Sequence, residues 1–193
     1  VDPENVAGCH ITMLTGGLPG KPDDMEDITD IEQKLLDRAA WYQAEDDGYF
    51  RIQQTRPQTL GTGLNDSPAG LLAWITEKFY GWTDNGGDLL STVDRDKLLA
   101  NVSLYWFTGT INSSTRIYYE MFKTLELGFG STGDTPVGVS VFPYELMMPR
   151  RRWVEDSMNL VQWSEHKKGG HFASLETPEV FVEDVRECFR GLR

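Results

Sequence analysis

Two hydrophobic rhythms divide this chain. Residues 6–14 carry Val6, Ala7, Cys9, Ile11, Met13 and Leu14 with hardly a polar break, the pattern of a strand buried on both faces of a parallel sheet. A loop of Gly, Pro and Asp follows over residues 16–24, and from residue 29 to about 124 the apolar positions recur at helical spacing. Thr29 and Glu32 have the spacing of a capping box ahead of Ile31, Leu35, Leu36 and Ala39. Asp66 reads as a cap before Pro68, which opens a helix bearing Leu71, Leu72, Ile75, Phe79 and Trp82. Asp94 is placed to cap a third helix with Leu98, Leu99, Val102, Tyr105 and Trp106, and a short fourth helix is expected after Ser113 and Ser114.

The rhythm then reverts. Residues 137–142 alternate valine with small residues, as a tightly packed central strand does, and residues 159–163 read as another strand. A short helical crossover over residues 150–156 separates them, and Thr177 and Pro178 introduce a last helix with Phe181, Val185, Cys188, Phe189 and Leu192 on one face. The expected fold class is therefore α/β with an inserted helical block. A core strand falls in residues 1–15, a helical lid in 16–127, and further core strands and helices in 128–193.

Composition changes this picture in one respect. A formal net charge of −12 over 193 residues argues against nucleic acid and anionic membrane surfaces as partners. Arg150, Arg151 and Arg152 form the one basic triplet, read as a solvated helix start. Cys9 and Cys188 lie in a strand and a helix far apart in sequence, which suits reduced, buried thiols of a cytoplasmic-type protein and supports no metal site. No apolar run reaches bilayer length and no export leader is recognisable.

Candidate chemistry lies in the last third. His171 follows Gly169 and Gly170 after a strand, where a flexible backbone can aim an imidazole into a cavity as a general base. Glu145 follows the preceding strand and Pro143, and can accept a hydrogen bond from the imidazole. The separation of 26 positions suffices for one helix and one strand, so the two strand ends fall side by side; Asp134 and Glu165 are the substitutes for the acid. Acid before base is the order of α/β-hydrolase triads, but the chain has no Gly-x-Ser-x-Gly turn, and neither Asp66 nor the cysteines have a nucleophile's context. Structural readings stand beside each: a loop histidine, an exposed loop acid, tyrosines used for packing.

Several stretches together resemble the microsomal-type epoxide hydrolases. They are Gly48-Tyr49-Phe50-Arg51-Ile52-Gln53, Leu64-Asn65-Asp66-Ser67-Pro68, Leu104-Tyr105-Trp106-Phe107, Ser114-Thr115-Arg116-Ile117-Tyr118-Tyr119-Glu120, Phe142-Pro143-Tyr144-Glu145-Leu146 and Gly169-Gly170-His171-Phe172. The resemblance covers nearly all of the chain and implies an α/β-hydrolase fold with a lid. It implies that an aspartate opens an epoxide to an ester while two lid phenols, Tyr49 and Tyr118, hydrogen-bond the epoxide oxygen. His171, oriented by Glu145, would then activate water against the ester, and Trp106 and Phe107 would contact a hydrophobic epoxide. No cofactor or metal is implied. The nucleophile would come from an N-terminal part of the same enzyme, as a separate chain or segment, and a homo-oligomer is compatible. Alternatives are a non-catalytic remnant serving as an interaction module, or the same fold acting as dehalogenase or esterase. Tyr49 is preferred over Tyr42, and Tyr118 over Tyr119, by the resemblance alone.

Overall fold

The computed structural model describes residues 5–14, 25–124 and 133–192; the expected loop at 16–24 lies outside them. In chain order the elements are β1 (Cys9–Ile11), α1 (Asp30–Trp41), a π-helical turn (Tyr42–Asp46), α2 (Gly48–Thr55), α3 (Pro57–Asp66), α4 (Pro68–Trp82) and a 3-10 turn (Leu89–Ser91). There follow α5 (Arg95–Thr108), α6 (Ile111–Thr124), β2 (Val137–Val141), α7 (Arg151–Ser157), β3 (Leu160–Glu165), α8 (Ala173–Glu176) and α9 (Pro178–Arg190). The chain divides into two compact units, one of residues 1–40, 82–84 and 129–193, the other of residues 41–81 and 85–128.

The first unit is built on a parallel sheet in the order β1-β2-β3. β2 is buried at every position, because it is paired on both sides and its valines meet Leu14, Leu35, Met148 and Val154 in one cluster. β1 is shorter than expected and only half-buried: it pairs with β2 alone among the described residues, so its far edge is not covered by a strand. Leu35 places the early part of α1 with the sheet rather than with the other helices.

Capping explains where that helix begins. The Thr29 amide donates to Glu32 at 3.0 Å while the Glu32 amide donates to the Thr29 hydroxyl at 3.3 Å, the reciprocal box expected. Arg150 departs from expectation. It is 3% exposed rather than solvated, because its guanidinium donates to the Glu26 carbonyl (2.9 Å), the Asp27 carbonyl (3.0 Å) and Glu32 (3.1 Å). Burial works against the Glu32 carboxylate, but hydrogen bonds from Arg150 and Thr29 outweigh it and hold its pKa below the ordinary range. Arg151 is exposed as expected and pairs with Glu155.

α9 covers β2 with Cys188, whose sulfur stands 2.5 Å from where a Cβ on Gly138 would lie, so that strand position admits only glycine. Both cysteines are free thiols, Cys188 buried and Cys9 half-buried. Buried Asp184 is satisfied by the Ser140 hydroxyl at 2.5 Å and by His166 at 2.6 Å, and Ser140 also meets His10 at 3.0 Å. Serine bridges the other two groups here, a structural clamp of helix to sheet rather than a triad, in which histidine is the bridge. Thr177 precedes α9 without capping it: its hydroxyl bonds the Ala173 carbonyl instead.

The second unit is all helical. Leu64, Leu71, Val102 and Ile111 form its core, with Leu60, Trp74, Ile75, Tyr105 and Trp106 packed around them. Ser67, not Asp66, caps α4, through its hydroxyl to the Gly70 amide at 3.0 Å; Asp66 is the last residue of α3. Asp94 caps α5 as expected, accepting from the Asp96 and Lys97 amides. α6 starts at Ile111, ahead of the two serines, and runs 14 residues rather than a short turn.

Candidate active site

Successive strand ends carry one group of candidate residues. β2 leads into a turn closed by the Glu145 amide on the Phe142 carbonyl, and β3 leads into the loop holding Gly169 and Gly170. A parallel bridge between Tyr144 and Gly170, with the Tyr144 amide donating to the Gly169 carbonyl at 3.1 Å, ties the two loops together by backbone. Gly169 has φ +101°, and a Cβ there would come 2.8 Å from the Phe142 ring. A Cβ on Gly170 would come 2.5 Å from the Trp82 carbonyl. The glycine pair thus serves a left-handed turn and a close approach, after which the His171 amide donates to that same carbonyl at 2.9 Å.

The result is an ion-pair geometry. His171 Nδ1 lies 2.7 Å from Glu145 Oε1, which also accepts the Leu146 amide at 2.7 Å. Glu145 is fully buried and its second oxygen has no hydrogen-bond partner among the described residues. A carboxylate only accepts, so Nδ1 carries the proton and Nε2 is left as the basic nitrogen. An imidazolium forming at Nε2 would be stabilised by a carboxylate shielded from water. Trp82 stands edge-on to the imidazole at 5.1 Å between ring centroids and stacks on Phe172. Glu176 fixes this corner by accepting the Asp84 amide at 2.8 Å and the Phe172 amide at 3.1 Å; burial pushes its pKa up. Neither substitute acid competes: Glu165 is exposed and accepts the Trp163 indole, and Asp134 precedes β2, at the opposite end of that strand from Glu145.

A second group of candidate residues lies within the helical unit. Tyr49 on α2 and Tyr118 on α6 have ring centroids 6.1 Å apart, edge to face. Sixty-nine residues separate them in the chain, and the packing of α6 against α2 brings them together. Burial raises both phenol pKa values, so both keep their protons across the physiological range. Tyr42 is buried, with its hydroxyl 3.0 Å from that of Tyr49, and Gln53, one turn after Tyr49 on α2, is buried as well. Lys78 lies 4.9 Å over the Tyr49 ring and pairs with Asp46 at 2.6 Å. A hollow of about 370 Å³ beside Tyr118 is walled by Phe50, Ile117, Met121 and Phe122.

Trp106 and Phe107 are not part of that wall. Trp106 packs on the helical core, and Phe107 is 84% exposed. Sequence reasoning missed Gln53, Trp82 and the role of Tyr42; the spacing of Tyr49 and Gln53 on one helix face was the one available signal for Gln53. Among the described residues no group of three or more His, Cys, Asp or Glu side chains is arranged to hold a metal ion, and no helix is long and apolar enough to cross a membrane.

An acid and a histidine at neighbouring ends of parallel strands, beside a helical insertion, define an α/β-hydrolase. No protein-family model matches the chain. It is 44% identical over 200 residues to a putative epoxide hydrolase of Stigmatella aurantiaca, covering all of this chain and 43% of that protein. It is 40% identical over 160 residues to epoxide hydrolase 1 of Sus scrofa, covering 75% of this chain and 34% of that protein. The crystal structure of juvenile hormone epoxide hydrolase from the silkworm Bombyx mori superposes with a TM-score of 0.84 at 32% identity, over 99% of this chain and 50% of that one. The chain belongs to the epoxide hydrolase family and spans about half the length, or less, of these relatives.

Proposed function

We propose that this chain supplies the lid phenols and the acid–base pair of an epoxide hydrolase that adds water to an apolar epoxide, giving a vicinal diol through an ester intermediate. The observation that carries the reading is the 2.7 Å contact between His171 and a fully buried Glu145, in a chain that also pairs two protonated phenols on its helices. Residues 16–127 act in this reading as the lid and residues 128–193 as the core bearing acid and base.

A carboxylate oxygen attacks an epoxide carbon, the ring C–O bond breaks, and its electron pair goes to the oxygen, which Tyr49 and Tyr118 receive as donors. His171 Nε2 then takes one proton from water while its oxygen attacks the ester carbonyl; the ester C–O bond breaks, the water's remaining proton and the one held by His171 pass to the two diol oxygens, and the carboxylate and neutral imidazole are restored. In this reading the attacking carboxylate is an aspartate from outside residues 1–193, since among the described residues no acid sits at a strand-to-helix nucleophile turn. The hollow beside Tyr118 suits an apolar substituent on the epoxide.

The test uses the full-length protein with His171→Asn and styrene oxide as probe. Intact mass should show a covalent adduct of protein plus one epoxide, stable for the length of the assay, and the adduct should form far more slowly when Tyr49 is also replaced by Phe. An unmodified mass after prolonged exposure would refute the ester route.

A further inference from the structure

Tyr49 has one hydroxyl hydrogen and two lone pairs. To stabilise an epoxide oxygen it must spend that hydrogen on the substrate, yet in the structure its oxygen lies 3.0 Å from the hydroxyl of Tyr42, a second possible acceptor, with the Tyr118 ring edge-on at 6.1 Å. Within such a cluster the single hydrogen has rival acceptors, and an enzyme needs one outcome.

The local fold decides it. Tyr42 is the first residue of the π-helical turn that joins α1 to the segment leading into α2, and that wide turn carries Asp46 as well. One extra residue per turn re-aims side chains relative to an α-helix, and such turns are rare outside functional sites. Tyr42 and Tyr49 are seven residues apart, with rings edge-on at 6.5 Å, and Tyr42 is 6% exposed. Lys78, held by Asp46 from the same turn, covers the face of the Tyr49 ring. The phenol is thus confined from the side and from behind, leaving its hydroxyl orientation as the remaining freedom.

We propose that Tyr42 is a positioning residue for epoxide opening: it donates its hydroxyl hydrogen to the Tyr49 oxygen, which commits the Tyr49 hydrogen to the epoxide oxygen. The proposal rests on the reading of Tyr49 as a donor. It also makes Tyr49 a stronger donor, because an accepted hydrogen bond polarises the hydroxyl that gives the next one. Tyr42 touches no reacting atom, and its effect is confined to the step in which charge appears on the epoxide oxygen.

The experiment is a double-mutant cycle in the full-length enzyme with styrene oxide, measuring ester formation and ester hydrolysis separately in single turnovers. Tyr42→Phe should slow ester formation about 3- to 10-fold, the scale of one neutral hydrogen bond, and leave ester hydrolysis unchanged. In the Tyr49→Phe background the same change should have no further effect. Equal slowing of both steps, independent slowing in the double variant, or an unaltered rate of ester formation would each overturn the proposal. Replacing Tyr42 by 3-fluorotyrosine keeps the ring and strengthens the donor; ester formation at or above the parent rate is expected, and a drop as large as that of Tyr42→Phe would also overturn it. If Tyr49→Phe itself forms ester at the parent rate, the donor reading fails, and that failure is visible apart from anything Tyr42 does.

Discussion

The two units hold their functional groups by opposite means. In the sheet-bearing unit the pair is charged or chargeable, and backbone fixes it: two strand ends, a bridge between loops, and a glycine at positive φ put His171 against Glu145. In the helical unit the groups are neutral phenols, and side chains surround them: Tyr42 meets the Tyr49 hydroxyl, Lys78 lies over the Tyr49 ring, and Tyr118 packs edge-on to Tyr49. A buried charge tolerates little misplacement, since its partner must cancel the loss of hydration, whereas a neutral donor can be trimmed through hydroxyl rotation. In the proposed function, rigid backbone serves the proton-transfer pair and adjustable packing serves the donors.

That contrast can be broken most forcefully at His171. His171→Ala in the full-length protein should lower turnover of styrene oxide by about 10²–10⁴-fold, the range for loss of a general base, while the initial burst of ester formation persists. Steady-state and single-turnover rates together check this. In the helical unit the largest effect available is on stability: Leu71 is fully buried, and Leu71→Ala should destabilise by about 2–5 kcal/mol in denaturant unfolding. Gly169→Ala combines an unfavourable φ with a clash against Phe142 and should cost about 1–3 kcal/mol, with turnover falling because the His171 loop shifts. Asp94→Ala removes a cap and should cost about 1 kcal/mol with turnover intact. The smallest effect is a pH dependence. The Glu32 carboxyl is held below its unfolded value, so its contribution is complete above the ordinary carboxyl range and is lost as pH falls through the folded value. Glu32→Gln should flatten that acid limb of the unfolding curve.

Legibility followed the range of the interactions. The Thr29–Glu32 box, the Asp94 cap and the buried valines of β2 could be read because each depends on residues within a few positions or on one strand's alternation. The pairing of Glu145 with His171 could be inferred from strand order, since successive parallel strands put their ends side by side. Arg150 was misread because its acceptors lie 118 to 124 residues upstream, where no local pattern announces them. The cap at Ser67 was misplaced onto Asp66 because α3 runs to the residue before it. Tyr42 stayed hidden for a third reason: a π-helical turn shifts the register of side chains, and helical spacing counted at the ordinary pitch does not reveal where such a turn falls.

The link from Tyr144 to Gly170 is made by main-chain atoms alone. Amide and carbonyl groups are common to all residues except proline, so exchanging the side chain at Tyr144 leaves the tether in place. Selection for altered specificity can therefore rework the surroundings of the Glu145–His171 pair without uncoupling it, and if that pair acts as proposed, a library randomised at Tyr144 should retain a high proportion of active members provided proline is left out.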